Sequence, residues 1–376
     1  MFRFLRINTD AVWENPIVAK RFHRYLGVLT GKKISKYQIA KKTPVPTTSL
    51  KNLALDNLWK YHKETRSEFN DLMKKLDSNE LHIENLSSPE ISFLDLKVHI
   101  AHEILKSCHL CERNCNINRV SGKYGFCRLD ERSVVTSVFL HIGEEPPLIP
   151  SGTIFYAGCV FKCVFCQNWS ISQKWGSLKH LNEGYFVTPA SLSKLMNNLA
   201  DEGAKNINWV GGDPTPNIHT ILAALTYFNR NIIQLWNSNM YLTLEAMELL
   251  LDIIDFWLPD LKFRENEFAQ KMTGVGNYWE IVTRNIKLAY DRSSSEMIIR
   301  HLVMPARVKG DTLPILNWCA QNVERAFVNI MDQYRPEHKV LGNPHYQLIN
   351  RRTSTREMSQ ARDCADQLGI RWREVS

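Results

Sequence analysis

The chain has no apolar run long enough to cross a bilayer. About 20 consecutive apolar residues are needed, and the longest such stretch, around residues 249–254, stops well short. The N-terminal segment MFRFLRINTDAVWENP lacks an apolar core followed by small residues, which predicts no secretory signal. Acids are scarce near the N-terminus: from Lys20 to Lys60, ten Lys and Arg face a single carboxylate, Asp56, so the net charge of +8 is concentrated there. These absences exclude a helical membrane protein and lead to the expectation of a cytoplasmic one. The basic stretch reads as a solvated face, or as a contact for nucleic acid or an acidic protein. What remains, 44% hydrophobic and 23% charged residues over 376 positions, is a globular composition with room for one large domain plus an appendage or for two ordinary domains.

Nine cysteines are present, and a reducing compartment argues against disulfides. Seven fall into two groups: Cys108, Cys111, Cys115 and Cys127, then Cys159, Cys163 and Cys166. Clustered thiols in such a chain bind metal or do redox chemistry. Cys319 and Cys364 stand alone in helical patterns and read as small buried residues.

Residues 1–95 read as a separable, basic, helical extension. Thr48 and Ser49 are candidate caps for a helix with Phe69, Leu72, Met73 and Leu76 on one face. Residues 78–90 read as a polar linker, and residues 96–150 as a four-cysteine module. From residue 153 short β-branched and aromatic runs alternate with amphipathic helical segments, at 153–156, 206–210, 232–236, 255–258, 297–303 and 326–331. Such alternation predicts parallel strands joined by crossover helices. The expected fold is α/β, a partial (β/α)6 TIM-like barrel over residues 151–340, with a C-terminal helix and strand over 341–376 closing it. Each run is followed by a polar or glycine-rich loop, so the site is expected on the rim at the C-terminal ends of the strands.

The loop after the first run reads YAGCVFKCVFCQNWSIS, from Tyr156 to Ser172. Thiolates suit zinc, copper(I) or iron–sulfur clusters, and a structural zinc site wants four ligands where this loop has three. The spacing Cys-x3-Cys-x2-Cys, with the aromatic Phe165 before the last cysteine, resembles the cluster motif of the radical S-adenosylmethionine (SAM) superfamily. The stretches SCHLCERNCNINRVSGKYGFCRLD, FLHIGEEPPL, WLPDLKF, IIRHLVMPARVKGD, VNIMDQYRPEHK and INRR resemble the pyruvate formate-lyase activating enzyme-like group of that superfamily over roughly residues 100–376. The resemblance implies that Cys159, Cys163 and Cys166 hold a [4Fe–4S] cluster with one open iron. It also implies that SAM binds there and that an electron donor such as ferredoxin or flavodoxin drives its reductive cleavage to a 5′-deoxyadenosyl radical. The radical takes hydrogen from a protein glycine, a peptide or a small molecule.

Gly211, Gly212 and Asp213 resemble the Gly-Gly-Glu motif that holds the SAM amino group, and Asn237 resembles a polar SAM contact. Asp260 and Lys262 resemble an Asp-x-Lys pair reaching the SAM ribose and carboxylate; a surface salt bridge is the plainer reading. Arg300 and His301 lie on opposite faces of one strand, and Arg300 is expected inside the barrel. Glu144 and Glu145 read as a substrate anchor, as acceptors for backbone near the cluster or as part of a surface turn, and His141 as a donor to SAM or a sulfur. Ala306 stands where the group usually has Gly, and Tyr334 where activases have a SAM-contacting His. Cys108, Cys111, Cys115 and Cys127 supply four ligands, enough for structural zinc or a second iron–sulfur cluster. The rival reading is a nucleic-acid-associated metal protein, with the basic extension as binder and the four-cysteine knuckle as reader.

Overall fold

The computed structural model describes residues 11–174, 184–292 and 296–376; the first ten residues of the N-terminal segment lie outside them. Among these residues eight strands form: β1 Ser133–His141, β2 Ser151–Tyr156, β3 Tyr185–Val187, β4 Asn206–Gly211, β5 Ile233–Ser238, β6 Phe256–Pro259, β7 Ile298–Leu302 and β8 Phe327–Met331. β2, β4, β5 and β6 are parallel neighbours, as are β7 and β8. Parallel bridges from Trp257 to Met297 and from Asp260 to Arg300 join the two sets. The six expected parallel strands therefore stand in chain order, as a partial TIM-like barrel that does not close.

Two strands lie outside the expectation. β1 pairs antiparallel with β2, and β3 with β1, so the loop carrying Glu144 and Glu145 is the connection of an antiparallel pair. The expected C-terminal strand does not form. Beyond the helix Thr355–Gln367 the tail RWREVS is too polar for a ladder strand, and it caps only two backbone N–H groups of β8, that of Val328 with the Arg371 carbonyl at 3.0 Å and that of Ile330 with Ser376 Oγ at 3.1 Å.

Alternation along the strands builds the barrel interior in layers. At the N-terminal end Ile233, Phe256, Ile298 and Phe327 form one cluster with Leu235 and Leu258 above them. One level up, Asn208, Arg300 and Asn329 make a polar layer, bonded to Glu144 and Glu145. Val210, Asn237, Asp260, Leu302 and Met331 reach the C-terminal rim and line a cavity there.

The N-terminal helices do not stand apart from this barrel. Val18 of the helix Pro16–Arg21 and Tyr25 and Val28 of the helix His23–Leu29, with Phe22 between them, are buried in the lowest layer. Phe22 meets Phe256 edge-on at 4.9 Å and Phe327 at 5.0 Å. Both carboxylate oxygens of Glu296 accept from the first turn of the second helix, at Arg24 N (2.5 Å) and Tyr25 N (2.9 Å). The helix Leu55–Asp77 starts at Ala54 without a side-chain cap, so Thr48 and Ser49 do not cap it. Phe69 and Leu76 on its face are buried against the rest of the core.

The basic stretch is largely consumed inside the fold. Arg24 is buried and donates to Asp77 at 2.6 Å, Lys36 donates to the Leu251 carbonyl at 3.3 Å, and Lys41 to those of Thr226 (3.1 Å) and Phe228 (2.9 Å). Only Lys20, Lys32, Lys51 and Lys60 of the ten cations are exposed. No helix among the described residues is long and apolar enough to cross a membrane.

Candidate active site

The cysteine loop leaves the C-terminal end of β2. Its three thiols open on one cavity of about 260 Å³ together with Gly211, Gly212, Asn237, Ser238, Asn239, Asp260, Lys262 and Arg300. Residues from four other strand ends thus meet Cys159, Cys163 and Cys166 at the rim. A groove of about 670 Å³ between helix Leu55–Asp77 and the segment near Leu86 is larger, but it offers no thiol and no strand-end loop, so chemistry selects the smaller cavity.

Gly211 and Gly212 are required by the approach of β4 to the cysteine strand. Gly211 sits at φ 131°, and a Cβ there would stand 2.1 Å from Tyr156 N; one on Gly212 would stand 1.9 Å from the Gly158 carbonyl oxygen. Gly212 N donates to the Tyr156 carbonyl at 2.8 Å, and Asp213 N to that of Gly158 at 3.1 Å. Here the permissiveness of glycine pins one rim loop onto another.

Asp213 is placed otherwise than expected. It is buried behind the cavity wall, where its carboxylate accepts from Thr215 N (3.0 Å), Asn239 N (3.0 Å) and Asn239 Nδ2 (2.8 Å). Burial raises its pKa, against those hydrogen bonds. The residue that does reach the thiols is Asn239, whose amide also lies 3.9 Å from Cys159 Sγ and whose Oδ1 accepts from Lys262 Nζ at 2.8 Å. Sequence reasoning singled out Asn237 and passed over Asn239; the repeated Asn in Asn-Ser-Asn was the available signal. Lys262 also bonds Asp260 at 2.6 Å, so this pair is part of the cavity wall and not a surface bridge.

Arg300 points into the barrel, while His301 is held outside between the Leu261 carbonyl (2.8 Å) and Thr312 (2.9 Å). The Arg300 guanidinium grips Glu145 with two bonds of 2.7 Å, bonds Glu144, and leans toward Asn237. His141 approaches Glu144 at 3.0 Å. These two carboxylates therefore brace Arg300, and His141 meets a carboxylate and not a sulfur. Burial alone would raise the Glu144 pKa, but Arg300 and His141 outweigh it and bring it down to about 2. Tyr334 lines the cavity with its hydroxyl turned to the Ile349 carbonyl at 2.8 Å. Ala306 takes the left-handed φ of 61° that a glycine would adopt without cost.

The donor set fits a thiolate-bound cluster. Burial pushes the Cys159 thiol well above its ordinary value, Cys163 up to about 12, and Cys166 upward. Neutral thiols are thus favoured until a metal withdraws their protons. Cys159 accepts from Phe161 N at 3.3 Å, and Cys166 meets Ser172 Oγ at 3.4 Å. No three His, Cys, Asp or Glu side chains among the described residues are arranged around one ion. The three thiols lining the one cavity would hold an iron–sulfur cluster, for which thiolates are the usual ligands.

The first cysteine group lies alongside. Its loop is knotted by Cys108 N to the Ile117 carbonyl (2.8 Å) and Asn116 N to that of Cys108 (3.0 Å). Cys115 and Cys127 Sγ both lie within 4 Å of a Cβ position on Gly125. Cys111 bridges to Leu242, beyond β5, and buried Arg119 ties Cys108 Sγ (3.8 Å) to the Pro216 carbonyl (2.9 Å) after Asp213. Cys319 is buried in the helix Leu313–Asn322, whereas Cys364 is only partly buried.

The family model of the radical SAM superfamily matches residues 153–319. An uncharacterized protein of Methanocaldococcus jannaschii, MJ0674, is 42% identical over 347 residues, 92% of this chain and 97% of that protein. Two solved structures are similar at low scores. Streptococcus suis SuiB bound to its precursor peptide SuiA is 14% identical with a TM-score of 0.39, covering 57% of this chain and 45% of that one. A domain of a pyruvate-formate lyase-activating enzyme from Bacteroides vulgatus is 14% identical with a TM-score of 0.34, covering 45% and 98%. With its three thiols, its two rim glycines and its six parallel strands in one arrangement, the chain belongs to the radical SAM superfamily.

Proposed function

We propose that the protein is a SAM-dependent radical enzyme that abstracts hydrogen from a protein, peptide or small-molecule substrate, working in the cytoplasm with a one-electron donor of the ferredoxin or flavodoxin kind. The observation that carries this is the meeting of Cys159, Cys163 and Cys166 with Asn237, Asp260, Lys262 and Arg300 on one rim cavity. When bound, a [4Fe–4S] cluster with SAM supplies reductive cleavage to a 5′-deoxyadenosyl radical. The chain's own residues hold and enclose. The three thiolates would hold the cluster, Asn239 would offer a donor beside Cys159 and Lys262 another on the cavity wall, and the Asp260 carboxylate lines the same space. Arg300, fixed by Glu144 and Glu145, keeps a positive charge at the cavity floor, and Phe165 and Tyr334 wall the cavity against water. Action on a glycyl-radical enzyme follows the resemblance to the activating enzyme-like group. The Cys108, Cys111, Cys115 and Cys127 group is proposed to hold a second metal, zinc or an iron–sulfur cluster.

The test is anaerobic reconstitution with iron and sulfide, reduction with dithionite, and measurement of 5′-deoxyadenosine after SAM is added. Wild-type protein is expected to form it, and Cys163→Ala to lose the product together with the triad cluster's share of the visible absorbance. Absence of the product from fully loaded wild-type protein contradicts the proposal.

A further inference from the structure

Between the two cysteine groups lies an arrangement that neither group explains alone. Phe126, next to Cys127, has two cations over its ring: the Arg113 guanidinium at 3.7 Å from the ring centroid and Lys162 Nζ at 5.1 Å. Arg113 sits between Cys111 and Cys115 in the first group, and Lys162 between Cys159 and Cys163 in the second. Arg113 also crosses between the loops, Nε donating to the Val160 carbonyl at 3.0 Å, while Phe126 N donates to Cys115 Sγ at 3.5 Å. Each cation has a buried nitrogen with no hydrogen-bond partner, Nη2 of Arg113 and Nζ of Lys162.

A buried donor without an acceptor is destabilising, more so when it is charged. The cation–π contacts offset part of that. The surrounding thiols complete the account. Arg113 is two positions from both Cys111 and Cys115 and bonds the carbonyl of the residue after Cys159, while Lys162 directly precedes Cys163. Metal binding makes those thiols anionic, and metal-bound sulfur accepts N–H bonds. The orphaned nitrogens are then flanked by negative charge.

We propose that Arg113 and Lys162 form a cation pair, wedged on Phe126, that sets the reduction potential of the iron–sulfur site at Cys159, Cys163 and Cys166. The inference rests on the proposed function for the identity of that site. Reduction adds one negative charge to the cluster, and nearby positive charge and donors to sulfur favour the reduced form. Removing either cation therefore disfavours reduction.

The test is a potentiometric titration of the reconstituted full chain, followed by the part of the reduced electron paramagnetic resonance signal that Cys163→Ala lacks and run without SAM. Arg113→Gln and Lys162→Gln are each expected to lower the reduced-to-oxidised ratio at a fixed potential about tenfold, which is 59 mV for a one-electron couple. Lys162→Arg is expected to restore most of the wild-type value. Unchanged midpoints in both Gln variants at full iron content overturn the proposal, because a purely structural pair would leave the potential where it was. If Lys162→Gln takes up no iron, the Arg113→Gln titration decides, since its loop holds no cysteine of the triad. Because SAM is absent, a failure of the proposed function shows separately, as a reduced cluster that ignores added SAM.

Discussion

The two ends of the barrel are built from opposite materials. At the N-terminal end Val18, Phe22, Tyr25 and Val28 fill the interior with apolar side chains, and the polar groups there, Glu296 and Asn206, are spent on the helix His23–Leu29: Glu296 accepts from its first turn, and Asn206 donates to the Tyr25 hydroxyl at 2.9 Å. At the C-terminal end the same strands present thiols, amides, a lysine and a carboxylate to an open cavity. Between them Arg300 with Glu144 and Glu145 forms a charged floor. The difference teaches how one alternation serves two purposes: each strand contributes its first inward residues to stability and its last to the site.

Breaking the rim has the largest functional effect. Cys159→Ser is expected to abolish 5′-deoxyadenosine formation while leaving the thermal midpoint of the metal-free protein close to wild type; a comparable loss of midpoint would show that the thiol serves the core instead. Breaking the plug does the reverse. Phe22→Ala, which empties the space between Phe256 and Phe327, is expected to cost about 3–5 kcal/mol in denaturant unfolding, with cluster absorbance retained in the fraction that folds.

The charged floor and the N-terminal end also differ in the sign of their pH dependence. Glu144 is held down to about 2 from 4.5, because Arg300 and His141 outweigh burial. Its contribution is fully present above pH 4.5 and is lost as the pH falls from there toward 2. Glu296 is pushed up to about 7 from 4.5 by burial. There the folded state keeps a proton that the unfolded chain gives up, so stability is present below pH 4.5 and lost as the pH rises toward 7. Stability measured by urea unfolding from pH 3 to 8 should show a shallower acid limb in Glu144→Gln, where Asp252 and Glu357 still contribute, and a smaller near-neutral decline in Glu296→Gln. The smallest effect is at Ala306, whose φ of 61° carries the left-handed penalty of about 1–2 kcal/mol. Ala306→Gly relieves it but adds freedom to the unfolded chain, so a net gain of about 0.5 kcal/mol is expected, read as a small rise in the unfolding midpoint.

The strands and thiols were legible because their physics is local. β-branched runs between helical segments mark parallel strands, and three cysteines within eight positions mark a ligand set. The plug was not, because nothing in the pattern of residues 11–30 says that Phe22 belongs under Phe256, more than 230 positions away. The direction of Asp213 was also hidden: a carboxylate after two glycines reads as a ligand contact, and only the tertiary position of Asn239 turns it inward. The basic stretch misled in a related way, since Arg24 and Lys36 look like surface charge until Asp77 and the Leu251 carbonyl are seen beside them.

The central claim is that the rim cavity brings SAM to an iron held by Cys159, Cys163 and Cys166. The most direct measurement is the electron paramagnetic resonance spectrum of the reduced, reconstituted protein before and after SAM is added. The account predicts a [4Fe–4S]+ signal whose g values shift on adding SAM, and no such signal in Cys163→Ala when the other cysteine group is removed as well. A reduced cluster whose spectrum is unchanged at saturating SAM would contradict it.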